Sequence, residues 1–190
     1  MAMADENRFM RRVAGYHDIR MDGMLDLVLR ARDAAVLDIG CNRGLVGFEM
    51  ANNGAKLVHG VDNYEDGITT ARHLFADLRN CISRFEVVDL TAGPLSLRRF
   101  EPQSYDITLM LATYHKLKRV MEPKPLSELM QYIGRRTTKF FGWRGTSDKP
   151  HENEGEIFQL DRDFKAIGMK RIHTSYISET LGVACIWSRV

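Results

Sequence analysis

Three acids stand at the ends of apolar runs, and their spacing is the first chemical signal in the chain. Asp38 lies in AVLDIG, Asp62 closes KLVHGVD, and Asp89 lies near the end of RFEVVDL. Between the first acid and the next apolar stretch come Gly40, Cys41, Asn42, Arg43 and Gly44. Small residues at such a turn let the backbone approach a ligand closely, and a helix starting there offers unpaired N–H groups. An acid at the end of the following strand can accept hydrogen bonds from two ribose hydroxyls. A carboxylate at Asp89 could reach an adenine amino group. The glycine turn by itself fits a tight strand-to-helix connection equally well. No GxxxxGKS or GxxxxGKT run is present, and the spacing Gly40, Gly44, Gly47 is not GxGxxG. The pattern therefore favours a nucleoside without a pyrophosphate.

The elements that must position these acids alternate. AVLDIG, KLVHGVD, RFEVVDL, YDITLMLATYH and TKFFGWRG read as strands, the fourth running into a loop. GLVGFEMANNG, EDGITTARHLFADLRN, a turn at PLSLRRF, PLSELMQYIGRR and FQLDRDFKAIG read as helical. Such alternation predicts an α/β fold with a doubly wound, mostly parallel sheet and helices on both faces. The last two strands, MKRIHTSYI and GVACIWSRV, are separated by SETL, too short for a parallel crossover. An antiparallel edge hairpin follows, which brings the sheet to seven strands. The stretch from about Asp5 to Arg32 reads as helical with a break. The polar stretch Gly142 to Glu156 reads as a long loop.

Bulk properties exclude several classes. A chain of 190 residues fits one domain. With 44% hydrophobic and 27% charged residues it has a globular composition. No apolar run is long enough to cross a bilayer, and MAMADENRFMRR is no secretory signal, so a cytoplasmic location is expected. Cys41, Cys81 and Cys185 lack metal-ligand spacing, so no metal is expected. The net charge of +2 is silent on partners, since only a local basic patch would mark nucleic acid.

VLDIGCNRG, HGVD, VVDL and YDITLMLATYHKL, in this order and spacing, resemble class I S-adenosylmethionine (SAM)-dependent methyltransferases. The resemblance runs from about Val36 to Val190. It implies one domain, with a helical lid over residues 1–33 and a Rossmann-like core over 34–190. It implies that SAM is the cofactor and S-adenosylhomocysteine (SAH) the product. Asp38, Gly40, Cys41, Asn42, Arg43 and Gly44 would shape the methionine end of the pocket, with Leu111 at the fourth strand. Asp62 with Asn63 would hold the ribose, and Asp89 with Leu90 would flank the adenine. Asn42 stands where the family often has glycine.

His115 is the candidate general base, equally readable as a loop histidine that only packs. Tyr16, Thr113, Tyr114, Trp143 and Arg144 are candidate acceptor contacts. Trp143 beside Arg144 could stack on or pair with an acceptor, or be a core aromatic next to a surface cation. The expected function is methyl transfer by in-line displacement to an oxygen or nitrogen of a small-molecule or carbohydrate-like acceptor. An RNA methyltransferase is the second reading, motivated by Arg11-Arg12, Arg98-Arg99, Lys116-Lys118-Arg119 and Arg135-Arg136. No NPPY-like run follows the fourth strand, so nucleic acid is possible but not favoured. A non-catalytic SAM-binding subunit is the third. The oligomeric state is open.

Overall fold

The computed structural model describes residues 23–100, 104–146, 150–178 and 182–189. Most of the expected N-terminal lid, with Tyr16, lies outside them. The first described helix is the short α1 (Leu25–Leu29), which buries Leu27 and Val28.

β1 (Ala35–Ile39) is buried along its whole length, as a strand covered on both faces must be. α2 (Leu45–Asn52) returns the chain to β2 (Leu57–Asp62), and α3 (Glu65–Phe75) to β3 (Ile82–Val87). A 3₁₀ segment over Leu90–Phe100, broken at Gly93, replaces a crossover helix before β4 (Tyr105–Leu111). α4 (Tyr114–Val120) and α5 (Pro123–Arg136) then lead into β5 (Thr137–Arg144). α6 (Pro150–Lys165) precedes β6 (Met169–Ser178) and β7 (Gly182–Arg189).

The seven strands lie in the order β3-β2-β1-β4-β5-β7-β6. β1 pairs in parallel with both β2 and β4, so strand order reverses there. That reversal opens a crevice at the carboxyl ends of the strands, where ligands bind in open α/β sheets. β7 pairs antiparallel with β6, as the short SETL connection required, and antiparallel with β5.

Side-chain alternation along β1 separates two apolar layers. Ala35, Leu37 and Ile39 face α5 and α6 through Leu129, Ile133 and Phe164. Val36 faces α1, α2 and α3 through Leu27, Phe48 and Ile68. Helix α5 shows why these segments are helical. Proline stands in its first turn, Leu126, Leu129, Met130 and Ile133 recur on one buried face, and Arg135 and Arg136 close its last turn.

Two expected loops are helices. α4 begins at Tyr114 because Tyr114 and Leu117, three apart, share one buried face, and Lys118 and Arg119 lie at its carboxyl end. Pro150 and Glu152 favour the first turn of α6, so the polar stretch is helical from Pro150 onward. The polar residues Asn153 and Glu156, read as loop, are buried on that helix.

Candidate active site

β1 ends in a turn that only certain residues can make. Gly40 has φ +75° and Gly44 φ +73°, both in the left-handed region. Asn42 has φ +50°, and asparagine is one of the few side chains that visits this region readily. That conformation accounts for asparagine at a position where the family often has glycine. The backbone N–H groups of Gly40 and Cys41 donate to the Val61 carbonyl at 2.8 and 3.0 Å, which fastens the turn to β2. A Cβ on Gly40 would lie 1.9 Å from Thr113 Oγ1, so β1 and the end of β4 meet there with no room for a side chain.

Asp62 locks the turn from the neighbouring strand. Its Oδ2 accepts the Asn42 N–H at 2.8 Å, and its Oδ1 accepts the Tyr64 N–H at 2.9 Å. Each oxygen keeps lone-pair capacity for a ligand hydroxyl. Asp38 is 3% exposed, one strand over. Burial, with the carboxylates of Asp38 and Asp62, pushes the Cys41 thiol far above its usual range, so it remains a thiol. Asp89, at the end of β3, accepts from the hydroxyl and the N–H of Thr91 at 2.7 and 2.9 Å. Those bonds hold its carboxyl below the usual range.

Two adjoining cavities lie over these strand ends, of about 430 and 90 Å³. Gly40, Asp62, Asn63, Thr113 and Lys116 line both. The larger adds Asp38, Cys41, Asn42, Leu111 and Arg144. The smaller adds Asp89 and Leu90, with Val88, Thr91 and Leu117. A larger chamber with an acid-bearing glycine turn, opening into a narrow apolar recess, suits an amino acid joined to a nucleoside. The residues present therefore fit SAM.

Not every expected residue reaches the cavities. Arg43 is exposed and lines neither, while Gly44 is buried and packs the turn on α3 at Ala71. Trp143 and Tyr114 are 0% and 1% exposed and belong to the core beneath the site. Strand alternation separates Trp143 from Arg144, so the arginine alone faces the chamber. His115 lines neither cavity. Its ring nitrogens lie 3.2 and 3.3 Å from Thr146 Oγ1. Burial, with Arg119 and Lys116 nearby, holds its imidazole below the ordinary range, against the opposing pull of Glu152.

Lys116 is the charged residue among the lining positions that the sequence reading passed over, beside Val46, Tyr64, Val88, Thr91, Ala112 and Leu117. Thr113, Lys116 and Leu117 stand at i, i+3 and i+4 and so share one helical face, while His115 is turned away from it. Once the segment is known to be helical, that phase was readable from the residues alone. Ala112, also on the chamber wall, has φ +57°, a strained conformation that the Ala112 N–H bond to the Arg144 carbonyl at 2.9 Å helps to hold.

Residues 36–135 match the methyltransferase domain family, more than half of the chain. The chain belongs to this family. Its strand order and antiparallel edge are those of the class I SAM-dependent fold. Among solved structures, it resembles magnesium protoporphyrin IX methyltransferase of Synechocystis PCC 6803 with bound SAM, at a TM-score of 0.67 and 16% identity, over 90% of this chain and 78% of that one. It also resembles a TehB-like SAM-dependent methyltransferase of Corynebacterium glutamicum ATCC 13032, at a TM-score of 0.65 and 15% identity, over 100% and 99% of the two chains. Among curated proteins, the ubiquinone biosynthesis O-methyltransferase of Neisseria meningitidis serogroup C is 36% identical over 98 residues. That match covers 48% of this chain and 37% of the relative, well under two thirds of the relative's length. Among the described residues no helix is long and apolar enough to cross a membrane, and no three His, Cys, Asp or Glu residues cluster to hold a metal.

Proposed function

We propose that this protein binds SAM in the paired cavities and transfers its methyl group to an oxygen of a small molecule. The observation that carries the reading is Asp62, which braces the Gly40–Gly44 turn through Asn42 while lining both cavities. In this reading Asp62 and Asn63 hold the ribose, Asp89 and Leu90 flank the adenine, and Asp38 with the turn takes the methionine end. Leu111, Thr113 and Arg144 face the acceptor. The bound cofactor supplies an electrophilic methyl group, and the chain's contribution is alignment and exclusion of water. Oxygen as the accepting atom is supported by the relative that is an O-methyltransferase by name.

The described basic clusters support a small acceptor over RNA. Arg98-Arg99 and Arg135-Arg136 precede β4 and β5, at the amino ends of the strands. Lys116, Lys118 and Arg119 lie at the opposite, carboxyl end. They therefore do not converge on one electrostatic footprint. Calorimetry with SAM and SAH tests the cofactor, and formation of SAH from labelled SAM in a panel of hydroxylated acceptors tests the reaction. No binding of either ligand refutes the reading, whereas binding without turnover favours a regulatory subunit.

A second reading makes His115 a general base, as a neutral hydroxyl acceptor would require. Burial, Arg119 and Lys116 lower its pKa, the direction that favours the proton-accepting neutral ring, and this supports the reading. A rate profile against pH, with His115→Gln compared to the parent, tests it.

A further inference from the structure

The net charge of the chain is only +2, yet the two ends of its sheet differ in sign. β1 to β6 run in one direction, so the residues that enter them gather at one end, opposite the cavities. Arg30 and Arg32 enter β1, Lys56 enters β2 and Arg79 enters β3. Arg98 and Arg99 enter β4, Arg135 and Arg136 close α5 before β5, and Lys165 closes α6 before β6. All are exposed except Arg136, which is half-buried. Among the described residues of the same connections, the acids are Asp33 and Asp77. Nearby, Glu86 is shared by Arg84 and Arg99, and Asp106 pairs with Lys139. These connections abut one another across the sheet. The Ile82 N–H donates to the Lys56 carbonyl at 2.9 Å, and Arg84 and Arg136 donate to the carbonyls of Arg99 and Phe100 at 3.1 Å each. Arg189, at the end of β7, reaches the carbonyls of Gly134 and Ile167 at 2.8 and 2.6 Å. Asp62, Glu65, Asp66 and Asp89 stand at the opposite end. Strands of five to eight residues hold the two ends roughly 17 to 26 Å apart. That is about two Debye lengths or more at physiological salt, so the acids do not cancel the cations.

A basic face of this width suits a polyanion, and its other side chains decide which. Leu29, beside Arg30, and Ile82, bonded to the Lys56 carbonyl, are 73% and 69% exposed. Aliphatic side chains among cations suit a boundary with anionic headgroups over an apolar layer. The bases of a single-stranded nucleic acid would instead stack on aromatic faces. At this end the chain's own guanidinium groups already cover the rings. Arg84 lies over Phe100 at 4.9 Å, and Arg136 and Arg30 lie over Tyr132 and Phe140 at 5.4 Å each. We propose that the amino end of the sheet is a docking surface for an anionic lipid bilayer. In that pose the cavities at the carboxyl end face the water, whatever they bind. The acids there favour the same orientation, because the negative surface potential of the bilayer repels them.

The test is sedimentation of the full chain with vesicles of phosphatidylcholine, alone or mixed equally with phosphatidylglycerol. The anionic vesicles should bind it at least tenfold tighter, and raised salt should release it. The double variant Lys56→Gln with Arg98→Gln removes two exposed cations from the row. At about fivefold for each cation near the surface, it should weaken binding roughly 25-fold. Arg79→Gln with Lys165→Gln is a second pair of the same kind, should the first fold poorly. Arg119→Gln with Lys124→Gln removes the same charge from exposed positions at the carboxyl end and should change binding by less than threefold. Leu29→Ser with Ile82→Ser should weaken vesicle binding as well, without any change in charge. Equal binding to both vesicles, no binding, or an equal loss in the variants of the two ends overturns the proposal. So does single-stranded RNA that binds the same face more tightly than the vesicles while the Leu29→Ser and Ile82→Ser pair has no effect, since the partner would then be a nucleic acid.

Discussion

Replacing Asp62 by asparagine exchanges one carboxylate oxygen for an amide NH₂, and measuring binding and stability separately distinguishes the bracing role of this residue from its proposed ribose contact. In the native chain each carboxylate oxygen takes one backbone N–H, from Asn42 at 2.8 Å and from Tyr64 at 2.9 Å. Each also has a lone pair left for one ribose hydroxyl. An asparagine keeps one oxygen and sets an amide donor against whichever N–H the other oxygen held. Hydrogen bonds to a charged partner contribute about 1.5 to 3 kcal/mol each. The loss of one ribose contact should therefore weaken SAH by roughly 10- to 100-fold. Asp62→Ala removes both contacts, about 3 to 6 kcal/mol, or roughly 10²- to 10⁴-fold. The alanine variant also releases the part-buried Asn42 N–H and the exposed Tyr64 N–H, and the asparagine variant one of the two, so urea unfolding should show a loss of about 1 to 3 kcal/mol without ligand for alanine and a smaller one for asparagine. The assays are calorimetry of SAH binding and denaturation of the ligand-free protein. If the alanine variant bound SAH within threefold of the parent while its unfolding midpoint fell, Asp62 would be a brace only. The ribose assignment would then be wrong.

Further outcomes follow from other contacts. Gly40→Ala should cost about 2 to 5 kcal/mol in unfolding and abolish detectable SAH binding, because a Cβ there meets Thr113 Oγ1 at 1.9 Å on a backbone with φ +75°. Parent-like stability would show that β4 yields at that point. Glu156 is buried on α6, and burial outweighs the attraction of Lys118, raising its pKa from 4.5 to about 7. The unfolded chain thus loses this proton first, so the group's contribution falls as pH rises from about 4.5 to about 7 and is flat above that, by at most about 3 kcal/mol. Glu156→Gln should then raise the melting temperature at pH 8 and leave it unchanged at pH 4; equal shifts at both would contradict the linkage. His115→Gln should change kcat by less than tenfold if the acceptor is already ionised. A drop of about 10²-fold or more, with loss of the acidic limb of the profile, would instead make His115 the base.

The parallel strands, their acids and the final hairpin were legible in the residues because each depends on local rules. Buried strands must be apolar, the turn after β1 needs residues that tolerate positive φ, and four connecting residues cannot make a parallel crossover. Helix α4 and the first part of α6, as far as Glu156, were read as loop because their polar residues hid the apolar faces that tertiary contacts cover, whereas the rest of α6 was read as helix. That error carried into the site. Read as a loop, LATYHKL offers its histidine as the reactive group. Folded as a helix capped at Thr113, it turns Lys116 to the cavity and His115 toward Thr146. The neighbours Trp143 and Arg144 were likewise a pair on paper, and the pleat of β5 sends one to the core and the other to the chamber.

Sequence alone thus determined the cofactor's class of site, since a glycine turn and three strand-end acids are properties of individual positions. Only tertiary structure decided which charges share the chamber. Arg144, Lys116, Asp38 and Asp62 lie on β5, α4, β1 and β2, and it is the order of strands in the sheet that brings them together.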